Sequence, residues 1–424
     1  MFKAKEILLG FAISCSVLFF PEKVRSQVIT IDSILSIIER NNPEVKMYDA
    51  KIKAYNAYAK GAKALDPPKF GAGFFMTPYN IKMWKPDAMD NSSGMGSVMF
   101  SAEQMIMNPK KLNANSDYMK SMSGVELEMK KASINEMFSM AKMSYFEWVI
   151  IKKKLMVLKE SEMLINYLIK STELRYNYGM GKINAYYKAK GMLGDIQLMQ
   201  VMAGQEIMEK RIVLNTLMNR DKKTIFDIDT LYLIKNYETA DVDTSLISST
   251  RSDLKAISQN VLVLKAKQTY EKSKRLPDFG IKYDHMLTFG KQPQLFSLMA
   301  MITIPIAPWS SKMYKSSVEG LKYDMEALKE QQEGLFNQID GNIERLKVQL
   351  KSKKQQIELY ENTIIPAMKK NYEMSLLAYE QNTEELFMVL DAWQNLKLIQ
   401  LSYYDQVMEL VSLQTEYEKQ FEIK

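Results

Sequence analysis

The organisation of this chain is set by residues 42–71, NPEVKMYDAKIKAYNAYAKGAKALDPPKFG, and by their counterpart at residues 251–280, RSDLKAISQNVLVLKAKQTYEKSKRLPDFG. Each stretch has a helical pattern that ends at a proline, followed two residues later by Phe-Gly. The spacing is the same in both, because Pro43 is as far from Pro68 along the chain as Ser252 is from Pro277. A pattern that returns at this scale indicates an internal duplication.

We therefore predict two structural repeats, residues 27–218 and 251–424, joined by an equatorial segment at residues 219–250. Each repeat is expected to contain a helix, a β-hairpin and a long helical hairpin. The long helices are recognised by apolar residues at steps of three and four, as in coiled coils. Their predicted ranges are about 111–176, 184–217 and 317–365, with a further helix after Pro366. A helix over 317–365 would be roughly 70 Å long.

Four segments alternate between apolar and other residues, which is the period of a β-strand. The apolar positions are Phe70, Ala72, Phe74 and Met76; Val98, Phe100, Ala102 and Ile106; Phe279, Ile281 and Tyr283; and Phe296, Leu298, Ala300, Ile302 and Ile304. Strands of about 8 to 11 residues with this alternation suit a transmembrane β-sheet. The alternation alone fits an amphipathic sheet in a soluble protein equally well.

Residues 1–26 have the features of a secretory signal. Two lysines precede an apolar run from Ile7 to Phe20, and Val24 and Ser26 supply small residues before an expected cleavage site. The run is shorter than a helical bilayer span. An uncleaved anchor and a lipid-modified Cys15 are the alternatives.

The composition argues against an enzyme. Cys15 is the only cysteine and His285 the only histidine, so a mature chain that starts at Gln27 has no disulfide, thiolate metal site or histidine cluster. The sequence has no P-loop or GxGxxG motif, and we predict no cofactor. The net charge of +7 is spread along helices and gives no nucleic-acid footprint.

Four strands from one chain cannot close a sheet, and open sheet edges are not tolerated in lipid. A membrane-inserted sheet would therefore need several chains. Three chains would supply 12 strands and 12 long helical segments, enough for two stacked cylinders.

The two helical turns carry a resemblance to a known family. Tyr176-Asn177-Tyr178-Gly179 is followed ten residues later by Ala189, and Tyr379-Glu380-Gln381-Asn382 is followed at the same spacing by Ala392. This pattern resembles the outer-membrane efflux protein family typified by TolC. Asn382 replaces the family glycine, and asparagine is the next-best residue for a left-handed turn. Residues 42–71 and 251–280, where a helix ends at a proline just before a strand, also fit this family, and we call them the duplicated strand entry. With the duplicated strand entry, the resemblance covers nearly the whole chain after residue 27.

The resemblance implies a mainly α fold with a small β part. Long coiled-coil hairpins would form a periplasmic α-barrel, and each chain would add four strands to a 12-stranded trimeric transmembrane β-barrel. The implied function is the passive exit duct of a tripartite efflux or type I secretion system in the Gram-negative outer membrane. Its implied partners are two further copies of the chain, a periplasmic adaptor (membrane fusion) protein, an inner-membrane pump and outer-membrane lipid.

The resemblance also implies a gate at the periplasmic tip, shut until the adaptor and pump engage it. Asp391 matches the second of two acidic residues that ring the pore, whereas Met388 replaces the first. Tyr379 matches a latch tyrosine of some members, but Glu384 stands where the basic latch partner is expected. Glu384 and Glu385 either enlarge the acidic ring or form a solvated helix face. The predicted tip also includes Tyr176, Gly179 and Asn382.

Methionine is abundant, with 32 in the chain, and is dense between Met76 and Met107. Thioethers are soft ligands that suit Cu(I) or Ag(I). Met99, Met105 and Met107 are therefore speculative metal contacts, and dedicated heavy-metal (Cu/Ag) efflux is an alternative function. Methionine also replaces leucine as an adaptable apolar residue, which is the simpler interpretation.

A periplasmic coiled-coil adaptor is the main alternative from another class of protein. An adaptor would have one helical hairpin flanked by small β-domains, whereas this sequence predicts two helical hairpins and two strand pairs. A secreted enzyme is disfavoured because the sequence supplies neither a nucleophile nor a metal set.

Overall fold

The computed structural model describes residues 28–86, 94–179, 182–231, 235, 237, 247–290 and 292–424, without the side chains of residues 248 and 249. The predicted signal segment with Cys15 lies outside these residues. Much of the predicted equatorial segment, between residues 232 and 246, lies outside them as well.

Each half of the chain has the same order of elements. The first half contains β1 (Val28–Ile29), α1 (Ile31–Asn41), α2 (Pro43–Gly61), β2 (Lys69–Phe75), β3 (Ser97–Ile106), α3 (Pro109–Asn177) and α4 (Ile183–Leu217). The second contains β4 (Asp227–Ile228), α5 (Ile247–Thr250), α6 (Ser252–Ser273), β5 (Asp278–Thr288), β6 (Leu295–Thr303), α7 (Pro308–Leu359), α8 (Ile365–Glu380) and α9 (Leu386–Gln420). The predicted mainly α fold with a small β part is confirmed.

Asparagine and proline set the start of two helices. The Asn42 side chain accepts a hydrogen bond from the Glu44 amide at 2.9 Å, and Asn108 accepts one from Lys110 at 3.0 Å. Pro43 and Pro109 occupy the first position of α2 and α3, where a missing N–H costs nothing. These caps explain why α2 starts directly after Asn42 and α3 directly after Asn108.

The prediction that the helix of the second repeat ends near Ile365 is wrong. Helix α7 passes through a π-helical turn, Tyr360–Ile364, into α8 and continues to Glu380. Pro366 removes one amide donor and crowds the preceding turn, which normally breaks a helix. The wider turn, in which the Ile365 amide bonds to the Tyr360 carbonyl, accommodates this proline without ending the helix.

Both hairpins join one antiparallel sheet in the order β2-β3-β5-β6. The central ladder pairs β3 with β5 from Ser97↔Thr288 to Ile106↔Phe279. The two repeats therefore share a sheet, a connection that the sequence pattern did not predict. Within the described residues, β2 and β6 are edge strands with one unpaired side each.

The strand register puts the predicted apolar positions on one face of the sheet. This face, which we call the aromatic face, includes the exposed side chains of Phe70, Phe74, Phe100, Phe279, Tyr283 and Phe296. The assignment of Ile304 to the last strand is wrong, because β6 ends at Thr303. The assignment of Met76 to the first strand is also wrong. Strand β2 ends at Phe75. Met76 has a left-handed φ of 48°, which leaves the extended conformation.

A contact between the repeats holds the junction of sheet and helices. Asp278, the first residue of β5, accepts a hydrogen bond from the Asn108 amide at 3.0 Å. Its other carboxylate oxygen lies 2.7 Å from Lys111 Nζ. Asp278 therefore links the start of the second hairpin to the start of the long helix of the first repeat.

The helices pack side by side below the sheet, in the order α2, α3, α6 and α7, and form three buried clusters. One cluster surrounds Trp148, a second contains Ile343 and Leu410, and the third surrounds Ile165 and Trp393 near the helical turns. Among the helices that the structure describes, none combines the length and apolarity that a bilayer span requires.

Glu418 of α9 anchors a buried ion network near the middle of the helical layer. Its carboxylate pairs with Lys142 of α3, lies 2.8 Å from Lys235 and accepts a hydrogen bond from Tyr237 at 2.5 Å. Both Glu418 and Lys142 have only 7% of the side chain exposed. Burial alone would raise the pKa of Glu418, but the hydrogen bonds from its three partners outweigh burial and hold the pKa below its usual value of 4.5.

We predict that Glu418→Gln lowers the free energy of unfolding by about 3–5 kcal/mol at pH 7, because it leaves Lys142 buried without a counter-charge. The native carboxylate stabilises the fold above pH 4.5 and loses this effect as the pH falls through its lowered pKa. The difference between variant and wild type should therefore shrink on acidification. Thermal unfolding followed by circular dichroism between pH 7 and pH 3 measures it.

The matched control is Glu344→Gln, which breaks an exposed pair with Lys347. It should cost less than about 1 kcal/mol, because exposed ion pairs contribute little. Equal effects of the two substitutions would contradict a stabilising role for the Glu418 network.

Candidate functional site at the paired helical turns

The first turn joins α3 to α4. The Gly179 amide donates to the Tyr176 carbonyl at 2.9 Å, and Gly179 has a φ of 71°. This is the left-handed position that ends many helices. A side chain at Gly179 would meet no atom of the described residues within 4 Å, and the feature that favours glycine here is the backbone conformation.

The second turn, between α8 and α9, has the same construction with asparagine in the glycine position. Asn382 has a φ of 59°, its amide donates to the Tyr379 carbonyl at 3.1 Å, and the Thr383 amide donates to the Ala378 carbonyl at 2.9 Å. These two bonds form a Schellman motif. The left-handed conformation predicted for Asn382 is therefore confirmed.

Arg175 connects the two turns. Its guanidinium lies 4.1 Å from the centre of the Tyr379 ring and donates to Asn382 Oδ1 at 2.9 Å and to the Tyr379 carbonyl at 3.2 Å. Next to it, Lys182 Nζ lies 2.8 Å from Glu385 Oε1. Both contacts run from the first turn to the second, so they hold the two helical hairpins together at their ends.

A cleft of about 320 Å³ lies between the turns. Its lining includes Arg175, Lys182, Glu384 and Glu385, together with Leu386 and Phe387. Charged groups of both signs therefore surround an apolar floor. The contacts that cross it are individually modest. The exposed Lys182–Glu385 pair contributes about 0–1 kcal/mol, and the cation–π contact of Arg175 contributes about 0.5–2 kcal/mol, since the Tyr379 ring is buried.

The other predicted tip residues differ in their surroundings. Tyr379 is buried, whereas Tyr176 and Met388 are about half exposed. Asp391 is exposed on α9, three residues after Met388, and accepts a 3.3 Å hydrogen bond from Asn395. Met388 and Asp391 thus share one exposed side of α9. Glu385 is paired with Lys182, which reduces the negative charge that it was expected to add to an acidic ring.

Two basic residues of the site were missed by the sequence analysis. The family resemblance predicts a basic partner two residues after Asn382, where Glu384 stands. The structure supplies basic groups from the first turn instead, with Arg175 four residues before Gly179 and Lys182 three residues after it. The signal available in the sequence was the opposite charge of the two turns, Arg175 and Lys182 in one and Glu384 and Glu385 in the other.

The three candidate metal contacts do not lie together. Met99 and Met105 share one face of β3, the face opposite the aromatic face, but are six residues apart. Met107 follows the end of β3. Among the described residues, no group of three His, Cys, Asp or Glu side chains could hold a metal ion.

The architecture is similar to that of several solved structures. The match to the outer-membrane channel OprN covers 93% of this chain and 90% of OprN, with 11% identity and a TM-score of 0.75. The outer membrane protein VceC from Vibrio cholerae matches with 13% identity and a TM-score of 0.72, over 93% of this chain and 97% of its own. CusC, whose structures describe transmembrane channel formation, matches with 12% identity and a TM-score of 0.73, over 94% and 93%.

This chain has the fold of the outer-membrane efflux channels. No protein-family model matches it, and no curated protein matches it in sequence. The resemblance carried by the duplicated strand entry and the two turns is thereby confirmed at the level of fold. OprN is an outer-membrane channel, and the CusC structures describe the formation of a transmembrane channel.

We predict that the turn at Asn382 tolerates glycine but not valine. Asn382→Val should destabilise the turn by about 1–2 kcal/mol, because a branched side chain is strained in the left-handed conformation. Asn382→Gly keeps the backbone and loses only the bond from Arg175. Hydrogen exchange of the peptide that contains the Thr383 amide should become faster in Asn382→Val and stay near wild type in Asn382→Gly. Equal exchange in the two variants would refute the assignment.

Proposed function

We propose that this protein is the outer-membrane channel of a tripartite efflux system, a passive duct for substrates handed over by a periplasmic adaptor and an inner-membrane pump. The observation that carries the proposal is the combination in one chain of an outward-facing aromatic sheet and four long helical segments below it. A periplasmic adaptor would not need an exposed aromatic face on both strand pairs.

The aromatic face supports contact with lipid. Phe70 has 79% of its surface exposed and Phe296 has 71%. Such exposure is costly in water and favourable in hydrocarbon. The edge strands β2 and β6 have unpaired backbone groups, and these cannot remain unpaired within a bilayer. Pairing β6 of one copy with β2 of the next satisfies them.

A homotrimer closes such a sheet. Four strands from each of three chains give 12 strands, and a closed sheet of this size has an aqueous interior. The helical layer has the same lateral order as the strands, with α2 at one side and α7 at the other. Association through β6 and β2 would therefore bring α7 against α2 of the neighbouring copy.

The paired turns form the gate at the periplasmic tip in this proposal. Arg175 and Lys182 hold the second turn against the first within each chain, in place of a basic partner on the second turn. Met388 and Asp391 would face the axis as a ring of methionines and a ring of carboxylates. The weakness of the cross-turn contacts suits a gate, since an adaptor would need to supply only a little free energy to open it.

Dedicated heavy-metal efflux is a narrower form of the same function. CusC shares the fold, but so do OprN and VceC, so fold similarity does not distinguish the substrates. The observation that favours a soft metal is the position of the methionines on the sheet.

Cell fractionation and gel migration test the channel proposal. The full-length protein should be found in the outer-membrane fraction and migrate as a trimer that heating converts to monomers. Recovery as a soluble monomer from the periplasm would overturn the proposal.

A second test addresses the gate through single-channel conductance in planar bilayers. The double variant Arg175→Gln, Lys182→Gln should raise the open probability at least about fivefold, since it removes contacts of at least about 1 kcal/mol in each chain. Exchanging the charges, with Lys182→Glu and Glu385→Lys, should keep the gate closed. Lys170→Gln, an exposed position on α3, is the control. An unchanged open probability in the double variant would eliminate these residues as a latch.

A further inference from the structure

The methionines of the sheet are all on one face. Within the four strands they are Met99 and Met105 of β3, Met286 of β5, and Met299 and Met301 of β6. The register puts all five on the side opposite the aromatic face, and we call this side the methionine face. Within these four strands, the aromatic face contains no methionine.

This segregation is not expected if methionine merely replaces leucine. An apolar filler should be used most where apolar side chains are needed, which is the exposed aromatic face. That face uses phenylalanine, leucine, isoleucine and valine instead, for example Phe296, Leu298 and Ile302 along β6. The methionine face also contains charged residues such as Lys282 and Asp284. What methionine offers on this polar face, and leucine does not, is the thioether sulfur.

Four of the five methionines come together in two pairs across neighbouring strands. Met99 is directly opposite Met286. Met105 is opposite Gly280, which in turn is opposite Met301. A side chain at Gly280 would lie 2.6 Å from Met105 Sδ and 3.1 Å from the terminal methyl of Met301. The two thioether side chains therefore converge over the space that Gly280 leaves.

A buried carboxylate lies on the same face between the two groups. Asp284 is two residues from Met286 and four from Gly280, and only 7% of its side chain is exposed. Its Oδ1 atom has no hydrogen-bond partner among the described residues, and Lys282 Nζ lies 3.4 Å from it. A buried carboxylate oxygen without a hydrogen bond is costly, and a bound cation would add to the compensation that the Lys282 ion pair supplies.

We propose that the methionine face binds a soft monovalent metal ion, Cu(I) or Ag(I), as transported substrate. Thioether sulfur selects soft ions over Na⁺, Mg²⁺ or Ca²⁺, which prefer oxygen ligands. The Asp284 carboxylate contributes negative charge nearby. This inference rests on the proposed channel function, in which the methionine face lines the aqueous interior, and it assigns a substrate class to that channel.

Silver binding to the purified, detergent-solubilised protein tests the inference. Isothermal titration with AgNO₃ in chloride-free buffer should detect saturable binding. The double variants Met105→Leu, Met301→Leu and Met99→Leu, Met286→Leu should each weaken it at least tenfold or reduce its stoichiometry. Leucine conserves side-chain volume, so both variants should keep the migration of the wild-type oligomer.

The matched control replaces two exposed helical methionines, Met163→Leu with Met313→Leu, and should bind silver like the wild type. Unchanged binding in both sheet variants, or equal loss in the control, would overturn the inference. A protein that fractionates as an outer-membrane trimer but binds no silver would overturn the metal site alone. A soluble monomer would overturn the channel function as well.

Discussion

The ladder between β3 and β5 is the constraint on which the rest of the structure depends. It joins a strand of the first repeat to a strand of the second from Ser97↔Thr288 to Ile106↔Phe279 and makes one four-stranded sheet from two hairpins. Because this pairing uses the inner strands, it leaves β2 and β6 as edges at opposite ends. It also sets the lateral order of the helices, since α3 follows β3 and α6 precedes β5. The proposed association with further chains rests on those two edges.

The energetic contrast along the helical layer fits a duct with a movable end. Near its middle, Glu418 and Lys142 form a buried network whose disruption would cost several kcal/mol. At the turns, the same two hairpins are joined by the exposed Lys182–Glu385 pair, which contributes about 1 kcal/mol or less, and by the stacking of Arg175 on Tyr379, which contributes about 0.5–2 kcal/mol. The hairpins are therefore held firmly at the centre and loosely at the tip.

The sequence predicted features that follow from local rules. Strand alternation, helical periodicity and a left-handed turn at Asn382 are all encoded within a few residues, and the structure confirms them. It did not reveal the β3–β5 pairing, because register between these strands depends on contacts between residues that are far apart in the chain. The contact of Arg175 with Tyr379 was missed for the same reason. The end of β2 before Met76 and the continuation of the helix past Pro366 depend on local backbone adjustments that residue patterns do not encode.

Chemical cross-linking between the edge strands is the most direct test of the central claim, that β6 of one copy pairs with β2 of another. Cysteines replace Ala72 of β2 and Ala300 of β6, which lie at opposite edges of the sheet and are separated within one chain by three strand spacings. A bis-maleimide too short to span that separation should give covalent dimers and trimers in boiled samples, and nothing larger. Neither single-cysteine variant should form trimers. Absence of cross-linked species, or a ladder that continues beyond the trimer, would contradict the closed three-chain sheet.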